Sequence, residues 1–393
     1  MKGPGRGIDR ELNSCYFTTM ELIATCAFGL EKLVHDELKK LGLWTLKTED
    51  GRVTFKGDET AMIKANLWLH CADRIQIKMA EFPAATFDEL FDHVNALEWE
   101  KYIGVNDLFP VDATSVKSAL HSEPAIQSIV KKAIVKRLQQ KYSLETLPEN
   151  SNAVHHVMVK VNKDKFVVAI DSSGNSLHKR GYRTKANLAP IKETLAAAMI
   201  TLSDWTPQRT LVDPFCGGGT ILIEAAMMAN NVAPGFSGTK REFAFEQWGW
   251  LDQTKVIDAY KQADVALKPV EKLSLQGFDI DPLSIEIAQE NAKQAGFEDL
   301  NFQCADFKTL DFSQFENCTF ITNPPYGERL EDREKVLEMY REFGEKFAQT
   351  KNCSLFIITS NENFPTLFGR PADKNRKLFN GKIRCYLFSF FAK

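Results

Sequence analysis

The sequence predicts an α/β protein. A parallel sheet of alternating strands and helices, ending in an antiparallel hairpin, follows two smaller α+β units. Three observations carry this prediction. From Pro190 onward the pattern runs helix, strand, glycine-rich turn, helix, strand, helix, strand. Near the end, Asn380-Gly381 sits between apolar runs, a strong hairpin signal. Residues 20–175 mix short strand-like runs with amphipathic helices, as α+β units do.

The elements follow in chain order. Residues 1–19 carry charge but no apolar stretch of the secretory kind, and read as a disordered extension or leader ahead of a second methionine, Met20. Residues 20–75 form the first unit. Its first strand-like run is Glu21–Cys26. A helix follows with Leu30, Leu33, Val34, Leu38 and Leu41 at helical spacing; then come a hairpin around Gly51 and a second helix at 60–69. Residues 76–175 form the second unit, with a strand at 75–81 and a helix from Thr86 whose Glu89 completes a capping box. A basic helix spans Ile126–Tyr142, and two strands lie at 154–161 and 165–171. Residues 176–186 are a basic linker, and 187–393 are the α/β domain.

Composition excludes several classes. The 393 residues are 44% apolar and 26% charged, an ordinary globular balance. No uncharged apolar run approaches the ~20 residues that span a bilayer. The eight cysteines contain no CxxC spacing, so neither a zinc site nor a redox pair is supported, and buried thiols in a reducing cytoplasm are expected. The net charge is −3, yet residues 121–192 hold 13 Lys and Arg against 5 Asp and Glu. That local excess of +8 suits either a polyanion grip or a solvated face.

The chemistry-bearing residues sit at successive strand ends. Asp213 closes a short strand before Pro214-Phe215-Cys216-Gly217-Gly218-Gly219-Thr220 and an apolar helix. Three glycines there let the backbone approach a ligand, although a tight strand-to-helix turn has the same look. It fits neither a dinucleotide fingerprint nor a P-loop. Asp279 ends the next strand, where this architecture grips ribose hydroxyls, and Asp281 caps a helix that starts with Pro282. Asp306 ends the third strand, placed for an adenine amine, with Ile280 or Phe307 to pack on the ring.

Asn323-Pro324-Pro325-Tyr326 then follows the strand Thr319–Thr322. Paired prolines remove two backbone donors and hold the turn extended. An Asn oxygen and a prolyl carbonyl can accept from one NH2 group, and Tyr326 offers a flat face to a base. These groups suit methylation of an exocyclic amine, whose lone pair is otherwise delocalised into the ring; positioning then replaces a strong base. All seven histidines lie at or before 178, which disfavours imidazole base chemistry in 179–393, and no metal constellation is present.

These motifs, in this order, resemble the S-adenosylmethionine-dependent amine methyltransferases. The extended run Asn323–Leu330, together with Ala189–Ala198 and Leu177–Arg183, is similar to the bacterial 23S rRNA guanine-N2 methyltransferases that carry a THUMP domain. The resemblance implies a Rossmann-like methyltransferase domain behind ferredoxin-like and THUMP domains. It implies S-adenosylmethionine as cofactor, with Pro190, Ile191 and Glu193 at its methionine end. The turn Asp213, Pro214, Cys216, Gly217, Gly219 and Thr220 would lie under it, with Asp279 at the ribose, Asp306 at the adenine, and Ile280 or Phe307 against the ring. Asn323, Pro324, Pro325 and Tyr326 would receive a flipped guanine.

RNA, 23S rRNA first, is the expected partner. Lys131, Lys132, Lys136, Arg137, Lys179, Arg180 and Arg183 would meet its phosphates. No metal or membrane partner is expected, and the chain would act in the cytoplasm as a monomer or weak dimer. Guanine in tRNA, adenine N6 in DNA or RNA, and an RNA-binding module with a vestigial cofactor fold remain as rival readings. The 66 residues from Asp213 to Asp279 exceed the ~20 of a bare unit. The aromatics of the 232–270 insertion suit either a lid or RNA-contacting element, or an anchored surface segment.

Overall fold

The computed structural model describes residues 19–148, 153–183, 191–236, 241–327 and 333–392. The expected leader at 1–18, the linker's end at 184–186, Pro190 and residues 328–330 of the extended motif lie outside the described residues.

The first half opens with β1 (Met20–Thr25), α1 (Glu31–Lys40), β2 (Trp44–Glu49), β3 (Arg52–Gly57) and α2 (Glu59–Trp68). Helix α1 buries Leu33, Val34 and Leu38, the apolar stripe read from spacing. Next come β4 (Arg74–Pro83), α3 (Phe87–Asn95), β5 (Val111–Val116), α4 (Glu123–Tyr142), β6 (Val157–Asn162) and β7 (Lys165–Asp171). The Thr86–Glu89 capping box starts α3. Helix α4 has a proline in its first turn and ends at Ser143, whose φ is 55°.

These strands make one seven-stranded sheet in the order β2-β3-β1-β4-β7-β6-β5. Strand β4 pairs with β1 on one side and β7 on the other, so the two α+β units share a single sheet. Strand β5 was not foreseen. Its apolar alternation is weak, and what holds it is parallel pairing with β6, a long-range contact.

The second half runs α5 (Glu193–Leu202), β8 (Thr210–Asp213), α6 (Thr220–Ala229), α7 (Gln253–Val265), β9 (Leu275–Asp279), α8 (Pro282–Gln294), β10 (Asn301–Cys304), β11 (Cys318–Thr322), α9 (Arg333–Phe347), β12 (Ser354–Thr359), α10 (Phe364–Phe368), β13 (Lys374–Asn380) and β14 (Ile383–Phe390). The sheet order is β10-β9-β8-β11-β12-β14-β13. Five strands are parallel, and the last two form the antiparallel hairpin that Asn380-Gly381 signalled. After β8 the chain moves outward through β9 to β10, then returns to β11 on the other side of β8. This reversal opens a crevice at the carboxyl ends of the two central strands.

The insertion after α6 straps the second half to the first. Trp248 is buried, stacks on His155 at 5.0 Å and donates through Nε1 to the Val154 carbonyl. Trp250 meets Tyr102 edge-on, and Lys255 pairs with Glu59 of α2. Trp248 and Trp250 bind the second half to the first, as the anchored reading expects of them. Among the described residues no helix is long and apolar enough to cross a membrane. The seven described cysteines are free thiols, buried except Cys304.

Candidate active site

The glycine turn is pinned from three directions. Gly217 N–H donates to Asp279 Oδ2 at 2.9 Å, Cys216 N–H donates to the Phe278 carbonyl at 2.9 Å, and Asn291 Nδ2 donates to the Gly218 carbonyl at 3.0 Å. Gly219 has φ +78°, and a Cβ there would press to 2.8 Å from the Phe302 ring. Glycine is thus required for both conformation and packing. Thr220 opens α6, and Arg183 ties it to α5: Nη2 donates to Thr220 Oγ1 at 2.8 Å and to the Ile191 carbonyl at 3.0 Å, and lies 3.2 Å from Glu193 Oε1. Glu193 is buried, and burial raises its carboxyl above the ordinary range. Its Oε2 has no hydrogen-bond partner.

Three strand-end carboxylates line the crevice. Asp213 Oδ1 accepts from Phe215 N–H at 3.2 Å and from Thr322 Oγ1 at 2.6 Å; full burial pushes its carboxyl up to about 7. Asp279 also accepts from Asp281 N–H at 3.0 Å, while Asp281 caps α8 as expected. The Ala305 N–H donates to the Asp279 carbonyl at 2.9 Å, setting Asp306 beside it. Ile280 is 67% exposed and free to cover a ring. Phe307 does not do this with its side chain. Its ring is buried against Phe215 and Phe343, at 5.0 and 5.9 Å, because the core behind the strands is a phenylalanine cluster.

The Asn323–Tyr326 turn issues from β11, next to β8. Tyr326 Oη donates to Asn323 Oδ1 at 2.6 Å. Burial, and Cys385 beside it on the hairpin, raise the Tyr326 phenol above its ordinary value. The Pro325 carbonyl accepts from Tyr340 Oη at 3.0 Å, and Tyr340 Oη in turn meets Thr359 Oγ1 at 2.8 Å. Thr359 Oγ1 accepts from Asn361 N–H at 3.1 Å. A directed chain of hydrogen bonds therefore fixes the turn from the end of β12. Of the two prolyl carbonyls, one is thereby taken from a base amine. Pro325's is committed to Tyr340, and among the described residues nothing donates to Pro324's. Tyr326 and Gly327 open onto a cleft of about 250 Å³ lined also by Arg333, Val336, Asn361 and Ile383.

The expected phosphate contacts divide. Lys131, Lys132, Lys136 and Lys179 are exposed. Arg137 is paired, its Nε and Nη2 reaching Glu100 at 3.0 and 2.5 Å. Arg180 is not available to phosphate: it is buried, faces the equally buried Glu224 at 3.3 Å, and donates to the carbonyls of Leu177 and His70. Arg183 is spent at the glycine turn. In sequence a structural arginine and a phosphate-binding one look the same. Thr322 lay one residue before the motif and was legible as its neighbour; Tyr340 and Thr359 had no local signal.

Comparison with known proteins shows the family of the chain. The RMKL-like methyltransferase domain model matches residues 180–388, the RlmL ferredoxin-like domain model 21–76 and the THUMP domain model 84–171. The chain is 44% identical over 374 residues to YpsC of Bacillus subtilis strain 168, named as an RNA methyltransferase, covering 95% of this chain and 96% of that one. It is 33% identical over 372 residues to the ribosomal RNA large subunit methyltransferase K/L of Vibrio parahaemolyticus. That match covers 93% of this chain, which spans only 52% of the relative's length. The crystal structure of SMU.472 complexed with SAH superposes with a TM-score of 0.89 at 46% identity, covering 95% of this chain and 98% of that one. The chain belongs to the RMKL-like methyltransferase family, with an RlmL ferredoxin-like unit and a THUMP unit ahead of its methyltransferase domain.

Proposed function

We propose that this chain transfers a methyl group from S-adenosylmethionine to the N2 amine of a guanine in 23S rRNA, with the base flipped into the cleft at Tyr326. One observation carries the reading. The glycine turn and the Asn323–Tyr326 turn leave adjacent strands, β8 and β11, and are joined by the Asp213–Thr322 hydrogen bond. Support for the cofactor comes from the SAH in SMU.472, and support for the substrate from the names of the K/L relatives and YpsC.

The residues present fit the cofactor. The unpartnered, buried Glu193 Oε2 beside the glycine turn is an acceptor suited to an ammonium, which the methionine end carries. Asp279 would hold the ribose, Ile280 would cover the adenine, and Asp306 would accept from its amine. When bound, S-adenosylmethionine supplies an electrophilic methyl on a sulfonium.

The chain's own groups do the positioning. Asn323 Oδ1 and the Pro324 carbonyl accept the two hydrogens of the guanine amine, which localises the nitrogen lone pair toward the donor. The incoming amine displaces the Tyr326 hydroxyl from Asn323 Oδ1, and the Tyr326 ring stacks on the base. Tyr340 and Thr359 hold the turn still meanwhile. Unstacking the base from RNA costs a few kcal/mol, and stacking and acceptor contacts offset it.

Deletion of the gene followed by mass-spectrometric mapping of rRNA and tRNA tests this. The reading expects loss of an N2-methylguanosine from 23S rRNA, restored by the wild-type chain. Loss of an N6-methyladenosine, or of a tRNA methyl group alone, contradicts it.

A further inference from the structure

From Lys374 to Phe390 the chain carries Lys374, Arg376, Lys377, Lys382 and Arg384 and no acidic residue. Among the described residues no carboxylate pairs with any of the five. Of the described acids beside this hairpin, Asp373 is paired with Arg370 at 3.0 Å, and Glu362 accepts from the hairpin's own Tyr386 Oη at 2.9 Å. Lys374, Lys377, Lys382 and Arg384 are exposed. Aromatic rings lie among them, with Arg384 5.6 Å over Tyr386 and Lys374 5.3 Å over Phe391.

The position of this charge is specific. The last pair between β12 and β14 is Thr359 with Tyr386, so the hairpin tip at 380–383 overhangs the carboxyl end of β12, on the edge of the sheet where the site lies. Ile383 lines the cleft at Tyr326, Lys382 sits in the hairpin turn beside it, and Arg384 shares the other face of β14 with Tyr386, opposite Lys377. Strand β13 is the last strand of its sheet, and Gly29 of the first half packs against its Lys377 carbonyl.

We infer that the β13–β14 hairpin is an RNA-binding wall of the cleft, on which Lys377, Lys382 and Arg384 hold the phosphates flanking the extruded nucleotide. This rests on the proposed entry of an RNA base at Tyr326. Exposed lysines and an arginine match the backbone of a single strand pulled out of a folded RNA, which is held without sequence being read. The Arg180 and Arg183 expected to do this from sequence are engaged within the protein.

The test uses the full chain and an unmodified 23S rRNA transcript, with affinity measured across a salt series. At roughly 0.7 per single-strand phosphate contact, Lys377→Ala, Lys382→Ala and Arg384→Ala together flatten the log affinity against log salt slope by about 2. A control triple, Lys268→Ala, Lys272→Ala and Lys293→Ala, removes the same charge before and after β9, toward the opposite edge of the sheet. It is expected to leave the slope at the wild-type value, and thermal melts establish that both triples are folded. An unchanged slope in the hairpin triple overturns the inference, as does equal flattening in the control. Duplex DNA that competes as well as RNA overturns the assignment to RNA. If the wild type binds rRNA through the hairpin yet methylates none of it, the hairpin stands and the proposed reaction falls. If it methylates while the hairpin triple binds unchanged, the reverse holds.

Discussion

Thr322 Oγ1 donates a 2.6 Å hydrogen bond to Asp213 Oδ1 across the two central strands of the second sheet. Each residue is the last of its strand, and each precedes one of the two turns that make the site. The bond therefore sets the distance between the glycine turn and the acceptor turn. Because Asp213 is buried, its carboxyl is pushed up to about 7, so it is held largely as a neutral acid through much of the acidic range.

That shift has a sign in stability. Below the ordinary value of 3.8 both folded and unfolded chains keep the proton. Between 3.8 and about 7 only the folded chain does, so folding weakens as pH rises through that window. Glu37, raised by burial to about 7, contributes with the same sign. Asp213→Asn keeps an acceptor for Thr322 and removes one ionisation. Its melting temperature is expected to fall less across the window than the wild type's.

Asp279, the proposed ribose ligand, also holds backbone geometry, since its carboxylate accepts from Gly217 and Asp281 N–H groups. Asp279→Ala frees both donors and loosens the turn. Binding of S-adenosylmethionine is expected to weaken by roughly 10-fold to 100-fold. Affinity for rRNA stays at the wild-type level, and calorimetry with each ligand separates the two.

Tyr340 acts through the Pro325 carbonyl and is a positioning residue. Tyr340→Phe leaves that carbonyl and Thr359 Oγ1 short of a partner, which costs about 1–3 kcal/mol of stability. The turnover number is expected to fall while the KM for S-adenosylmethionine holds. A fall in affinity with turnover unchanged would assign Tyr340 to binding instead.

Arg180 separates fold from function. Arg180→Ala strands Glu224 in the core and is expected to cost about 3–5 kcal/mol. Replacing both partners by apolar residues of similar volume recovers much of this. The salt dependence of RNA binding by the folded protein is unchanged in either case; flattening would return Arg180 to the RNA surface.

Local patterns were readable in the sequence wherever the physics is local. The Thr86–Glu89 box, the Asn380-Gly381 hairpin, the Asp281 cap and the strand-end aspartates each act within a few residues. What escaped depends on partners distant in sequence. Strand β5 exists through β6, the two front units merge through β4, and Trp248 is held by His155. Tyr340 reaches the turn from 15 residues away. Charge was misread for the same reason. Arg180 and Lys131 look alike until Glu224 is in place, and the hairpin cations, which no described carboxylate pairs, stand outside the basic segment 121–192.

The most direct measurement is the nucleoside made when the purified chain, S-adenosylmethionine and unmodified 23S rRNA are incubated together and the digest is analysed by mass spectrometry. N2-methylguanosine is expected with the wild type. Asn323→Ala is expected to make none while still binding the cofactor. Methyl groups on adenine N6, or an Asn323→Ala chain that remains active, would contradict an acceptor role for the Asn-Pro-Pro-Tyr turn toward a guanine amine.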